Sequence, residues 1–406
     1  MPPAPRRVVV TGFGVVSALG IGRAAHDAGL RAGRCGVGEL DIPDAERLTV
    51  RIGAAAREFR GEDRFTKTEL ALYDRTTQLA LTAAREALED AGLVVDAALA
   101  PRAGVALGTA LNGMETVDAS YRAVFQEGKN RVHPFVVPRL MSNAGVSHVS
   151  MTHGLKGPAW TVSTACSSSN HAIGQAFHLV RSGGADVMLA GGAEAPLHFG
   201  VIKAWEGLRV MSKDGCRPFC ATRNGMVQGE GAAVLVLEAE EHARARGARL
   251  RAEIAGFGMT ADAGDIVAPD ADGAARAIAA ALADAGMAAD EIGYVNAHGT
   301  GTAANDRTEC AAIRAAMGRA ADGISVSSTK SMHGHCIGGA GAVEMAAVLM
   351  ALEEGLIPPT VGIAEQDPAC DLDVTPNRAR RREVSAALSN SFAFGGLNAV
   401  LALRRA

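Results

Sequence analysis

Three short stretches carry side chains able to do covalent and acid–base chemistry. VSTACSSSNHAIG, from Val162, sets Cys166 among small residues, between a β-like run and a helical run. A thiol at the first turn of a helix meets the positive end of the dipole and unpaired backbone N–H groups, both of which favour the thiolate. Ala165, Ser167, Ser168 and Ser169 leave room for a substrate carbonyl, and amides of that turn are candidates for an oxyanion hole. A buried structural cysteine fits the same stretch. YVNAHGTGTAAND (Tyr294–Asp306) places His298 after a strand and before a Gly/Thr loop, the end of a strand where α/β sheets build their sites. A hydrogen-bonded loop histidine fits equally. SSTKSMHGHCIGGAGAVE (Ser327–Glu344) crowds Lys330, His333, His335 and Cys336 into one turn-rich segment. As a metal site HGHC is poor: histidines at i and i+2 lack zinc spacing, and Cys216-x3-Cys220 has no partner pair. The competing reading is a polar catalytic cluster, with Lys330 as fixed positive charge and His335 as hydrogen-bond donor.

The elements that must position these groups read as alternating strands and alanine-rich helices. Arg7–Thr11 reads as a strand that Gly12 and Gly14 turn out of. Asp74–Gly92 reads as a helix with Leu79, Ala83, Ala87 and Leu88 on one face and Gly92 as its stop. Ala103–Gly108 and Asp186–Ala190 read as buried strands flanking the helix after Cys166. This β-α-β order implies parallel strands covered by helices. The second half repeats the theme: strands at Arg251–Gly258, Ile292–Asn296, Ile324–Ser327, Ala386–Ser391 and Ala399–Leu403, and helices at Asp272–Gly286 and Gly341–Leu352. The two halves look like copies of one α/β pattern, without an obvious residue-level repeat. The charged stretch His242–Glu253 reads as solvated and lies near their junction.

With 406 residues, 48% hydrophobic and 21% charged, the chain can bury a large core, and its net charge of -4 gives no global argument for nucleic acid or an anionic membrane. Seven irregularly spaced cysteines argue against a disulfide framework and for a reducing, cytoplasmic setting. The opening MPPAPRRVVVTGFGVVSALG lacks a cleavage site and is broken by glycines, so it reads as a core strand rather than a secretion signal. No segment approaches the roughly 20 apolar residues of a spanning helix.

TACSSS, NAHGTGT, SSTKSMHGHCIGGAGAVE and NSFAFGG, in that order, resemble the β-ketoacyl-acyl-carrier-protein synthases of the elongating, Cys-His-His type. The match runs nearly end to end. It implies an acyltransferase with the thiolase fold, an α/β class in which two similar halves (here 1–252 and 253–406) form a duplicated five-layered α-β-α-β-α structure, usually dimeric. It implies decarboxylative condensation of a malonyl thioester with an acyl chain held on Cys166, in fatty-acid or polyketide synthesis. No bound cofactor is implied, since substrates ride on the phosphopantetheine of acyl carrier protein. By motif, His298 and His335 become the paired histidines, Lys330 the lysine of TKSM, and Glu309 the acid that accompanies that lysine. Thr300 and Thr302 become phosphopantetheine contacts. Phe394 becomes the mobile gatekeeper, and its N–H joins that of Cys166 in an oxyanion hole. Leu111 and Trp205 fall on the acyl channel. Lys67, Arg131 and Arg209 fall where relatives meet the acidic carrier protein; as ordinary surface charges they fit equally.

Departures touch specificity rather than reaction class. AFGGLN stands where the family commonly has GFGGTN, so Ala393 and Leu397 replace glycine and threonine, and Ala393 cannot use the φ > 0 space open to glycine. Trp205 is large for a channel wall, and Asp265 and Val267 stand where fatty-acid relatives often carry histidine and threonine. LRVMSKDGCRPFCATRNGMVQGEG looks closer to specialised ketosynthases of secondary metabolism or nodulation-signal synthesis. The partner is then a second copy or a homologous chain-length factor. A non-catalytic chain-length factor itself lacks the cysteine, and a coenzyme A-dependent thiolase carries a Cys-x-Gly that Cys370-Asp371-Leu372 does not supply.

Overall fold

The computed structural model describes residues 5–406; residues 1–4, the start of the expected first half, lie outside the described residues. The first half contributes β1 (Val8–Ser17), β2 (Ala103–Gly108), β3 (Ala159–Val162), β4 (Val187–Glu194) and β5 (Gly231–Ala239). The second contributes β6 (Ala252–Ala261), β7 (Ile292–Asn296), β8 (Ser325–Ser327), β9 (Ala386–Ala393) and β10 (Leu397–Arg404). The helices that frame the site are α1 (Arg75–Ala91), α2 (Ser168–Arg181), α3 (Phe199–Gly207), α4 (Ala271–Ala285), α5 (Ala303–Met317) and α6 (Ala340–Glu354).

The duplication is written in the strand order. The first half runs β1-β5-β4-β2-β3 and the second β6-β10-β9-β7-β8. Equivalent pairs even share direction: β2 is parallel to β3 and β4 and β5 is antiparallel to β4 and β1, while β7 is parallel to β8 and β9 and β10 is antiparallel to β9 and β6. β1 and β6 join the halves along Val8–Val10. The apolar core falls into layers. One cluster, with Leu79, Ala83, Val105, Leu189, Val234 and Val236, fills the space between α1 and the first set of strands. A central cluster joins Leu235, Leu237, Phe13 and Phe257 to α2 and α6. A third lies between the second set and α4 and α5. The alternation Val234/Leu235/Val236/Leu237 across the two faces of β5 is the period-2 pattern of a strand packed on both sides. α6 is buried from Ala340 to Leu352, as a helix sandwiched between sheets must be. Together these layers make the expected thiolase-type α-β-α-β-α order.

Two differences from the sequence reading have physical causes. β1 does not end at Gly12; it runs to Ser17 with a bulge between Val10 and Gly12. The glycines are there because α1 lies against the strand: a Cβ at Gly12 would sit 2.1 Å from the Ala87 carbonyl oxygen, and one at Gly14 2.1 Å from that of Ala83. In the second half Gly256 and Gly258 meet Ala281 and Ala277 of α4 in the same way. Gly12-Phe13-Gly14 and Gly256-Phe257-Gly258 are thus a residue-level repeat after all. The end of His242–Glu253 is likewise not solvated. Arg251 and Glu253 are buried, Arg251 paired with Asp90 and Glu353 and Glu253 with Arg7 and Arg404.

Candidate active site

Cys166 follows β3 and precedes α2, which begins at Ser168. It therefore stands just before the helix, not within its first turn. Ala165 takes φ 48, a left-handed conformation that costs a non-glycine residue and aims the next side chain sharply. The Ser167 hydroxyl anchors the turn by donating to the carbonyls of Ser391 (2.9 Å) and Leu397 (2.7 Å), at the two sides of the 393–396 loop. The backbone N–H groups of Phe394 and of Cys166 itself lie near enough to Sγ to favour the thiolate.

His298 leaves the end of β7 on a loop held from α5. The Glu309 carboxylate accepts the N–H groups of His298 (2.8 Å) and Gly299 (2.7 Å), and the Asn390 side-chain amide at 3.2 Å. Gly299 at φ 36 makes the turn that lets both amides face one carboxylate. His335 is fixed by its backbone, donating to the Val227 carbonyl at 2.7 Å and accepting from Gly229 at 2.9 Å. Its Nδ1 accepts the Ile337 N–H at 3.2 Å, so the neutral ring carries its proton on Nε2, which is buried without a protein partner. His298 and His335 meet edge to face at 5.4 Å. Sγ of Cys166 and one nitrogen from each ring lie within 4.8 Å of one another, a convergence that would also admit a metal ion. His333 stays apart, its ring nitrogens engaged by the Gly334 carbonyl and the Thr329 hydroxyl.

Lys330 is fully buried and donates to Glu344, which is equally buried. The acid beside this lysine is therefore Glu344, on α6, and not Glu309, which holds the His298 loop instead. Burial pushes Glu344 up to about 7 against the opposing pull of Lys330. Burial, reinforced by the Lys330 charge, holds His298 and His335 well below the usual histidine range, so both are neutral near pH 7. Burial likewise pushes the Cys166 thiol up to about 12, outweighing Lys330 and the two N–H groups that favour the thiolate. The thiolate expected from the helix dipole is not the resting state: desolvation of a fully enclosed sulfur is the larger effect. Glu194 is a further buried acid that the sequence reading passed over. It gathers the Ala110, Leu111 and Gly338 N–H groups and the Thr109 hydroxyl, and burial pushes it up to about 7. An acid inside the apolar run DVMLAGGAEAP was its only signal.

One cavity, of about 90 Å³, contains Cys166, His298 and His335, and Thr300, Thr302, Trp205, Asp265, Val267 and Phe394 also line it. Thr300 and Thr302 share a hydroxyl–hydroxyl contact of 3.0 Å, and Thr302 caps α5 through the Asn305 N–H. Leu111 does not line this cavity; its N–H is bound to Glu194. Lys67, Arg131 and Arg209 are exposed, Arg209 in a surface cleft with Lys203 and Lys213.

A buried thiol, two neutral histidines and a buried lysine at the meeting point of two duplicated halves are the arrangement of a condensing enzyme of the thiolase type. The chain belongs to the β-ketoacyl synthase family: residues 5–243 match its N-terminal domain and residues 251–364 its C-terminal domain. It is an acyltransferase, a ketosynthase. It is 49% identical over 400 residues to nodulation protein E of Rhizobium sp. (strain N33), covering 98% of this chain and 99% of the relative. To 3-oxoacyl-[acyl-carrier-protein] synthase 2 of Staphylococcus aureus (strain COL) it is 40% identical, with 98% of each chain covered. The solved ishigamide ketosynthase/chain length factor superposes with a TM-score of 0.95 at 38% identity, over 99% of this chain and 100% of that one. Among the described residues no helix is long and apolar enough to cross a membrane.

Proposed function

We propose that the chain condenses a malonyl thioester with an acyl group carried on Cys166, both delivered on the phosphopantetheine of an acyl carrier protein. The convergence of Sγ with the two histidine rings carries this reading. In the first half-reaction Sγ attacks the acyl carbonyl. Its proton ends on the departing pantetheine sulfur, so both histidines stay neutral. The N–H groups of Cys166 and Phe394 receive the oxyanion. In the second, CO₂ leaves the malonyl group, and an N–H from each neutral histidine binds the thioester oxygen as the enolate forms. The carbanion attacks the acyl-Cys166 carbonyl and expels the sulfur as a thiolate, which takes up a proton from water. Lys330 adds its positive potential to the burial that keeps the rings neutral, Glu309 holds the His298 loop, and Thr300 and Thr302 bind the pantetheine arm.

Residues 1–252 then bring the nucleophile and 253–406 the histidines and lysine. The carrier meets a local basic surface that includes Lys67, Arg131 and Arg209. A second copy, or a homologous chain-length factor like that paired in the ishigamide complex, covers the exposed segment with Tyr121, Phe125, Val132, Phe135 and Val137. The reaction takes place in the cytoplasm. Incubation with acyl- and malonyl-carrier proteins tests the core of this: the intact protein extends the chain, whereas Cys166→Gln decarboxylates malonyl thioester without condensing. Condensation by Cys166→Gln would remove Cys166 from the mechanism.

A further inference from the structure

Trp205 has surroundings that the chemistry above does not use. It ends α3 half-buried, with its ring stacked on that of Phe394 at 5.8 Å between centroids and 25° between planes. Behind it lies a small apolar cluster that includes Leu197, Ile202, Met211, Met226 and Ile337, so the indole is braced from the protein side. Phe394 in turn sits between an alanine and two glycines. Gly395 and Gly396 take φ 83 and 67, while Ala393 is buried. The loop can therefore pivot on its far side but is restrained on the side that joins β9.

Phe394 lines the same cavity as Cys166, and its backbone N–H lies near the sulfur. That cavity is smaller than the roughly 150 Å³ that holds a benzene ring in an apolar protein interior. An acyl chain needs more room than this, the Phe394 ring is the wall beside the sulfur that two glycines leave free to yield it, and moving that ring breaks the stack. We infer that Trp205 is a positioning residue that latches Phe394 in its closed place, so that entry of an acyl chain onto Cys166 requires breaking the Trp205–Phe394 stack. This rests on the reading of Cys166 as the acylated nucleophile. A reagent small enough for the cavity as it stands does not need the latch released. The latch thus filters by chain size and leaves the reactivity of the sulfur alone.

The test compares two reagents on the full chain by mass spectrometry of the Cys166 peptide: octanoyl-N-acetylcysteamine thioester and iodoacetamide. A stacked aromatic pair shifts the gate equilibrium by roughly 2- to 12-fold. Trp205→Ala and Trp205→Leu are expected to accelerate octanoylation of Cys166 by that factor, with iodoacetamide alkylation unchanged. Trp205→Phe, which keeps a ring, stays near the parent rate. Trp205→Leu keeps apolar contact with the cluster behind, so it carries the comparison with Trp205→Phe if the alanine variant does not fold. Equal acceleration with both reagents, no acceleration, or a Phe variant behaving like the Leu variant would overturn the latch. If the parent protein takes octanoyl at Cys166 and the variants match it, only the latch falls. If the parent takes none, the reading of Cys166 falls and the latch with it.

Discussion

Separating Lys330 from Glu344 should unsettle the protein strongly. Both side chains are fully buried, and each is the other's charge partner. Removing one member of such a pair costs about 3–5 kcal/mol, because the remaining charge is left in a medium that cannot solvate it. Glu344→Gln should show that loss. Lys330→Met should cost less at pH 7, since burial already pushes Glu344 up to about 7 and the stranded carboxyl can take a proton. The double variant leaves no buried charge, so its loss should fall short of the sum of the singles by at least about 2 kcal/mol. The assay is urea unfolding at 25 °C, followed by tryptophan fluorescence, in a double-mutant cycle. Lys330→Met combined with Glu309→Gln is the control; Glu309 binds backbone N–H groups rather than the ammonium, so that pair should add to within about 1 kcal/mol. Additive losses for Lys330 and Glu344, or equal coupling to Glu309, would refute the assignment of the ion pair.

Two further outcomes follow from buried groups and close packing. The folded-state pKa of Glu194 is raised to about 7 from 4.5, so its contribution to stability is present below pH 4.5 and lost as pH rises to about 7. Glu194→Gln should flatten that decline, by about 3 kcal/mol across the window, in unfolding curves from pH 4.5 to 7.5; an unchanged slope would count against the raised value. Gly12→Ala pushes a Cβ onto the Ala87 carbonyl and should cost more than about 1–3 kcal/mol, read as a lower urea midpoint or loss of soluble protein. Tolerance there would contradict the close approach of α1.

Periodicity and glycine stops were enough to find most elements. α1 and α4 appear where their stripes of alanine and leucine end at Gly92 and Gly286, both in the left-handed conformation. The extent of β1 was hidden because glycine normally ends a strand, and only the helix lying on it explains why glycine is required. The strand order that proves the duplication depends on long-range pairing, which local sequence does not carry. At the site, nearness in sequence gathered Lys330 and His335 but also His333, which faces away, and His298 comes from a separate strand. The partner of Lys330 lies 14 residues on, inside an apolar helix, where one acid among alanines gives little sign of what it meets. The high thiol pKa of Cys166 was illegible for the same reason: helix polarity can be read from local sequence, whereas enclosure on every side cannot.

CO₂ release from malonyl-carrier protein in the Cys166→Gln background, with His298→Ala and His335→Ala added singly, decides whether the two histidines together stabilise the enolate formed beside the sulfur. One oxyanion donor is worth about 10²–10³ in rate. Each variant should fall by that order; decarboxylation at the parent rate in both would take the enolate away from the histidines.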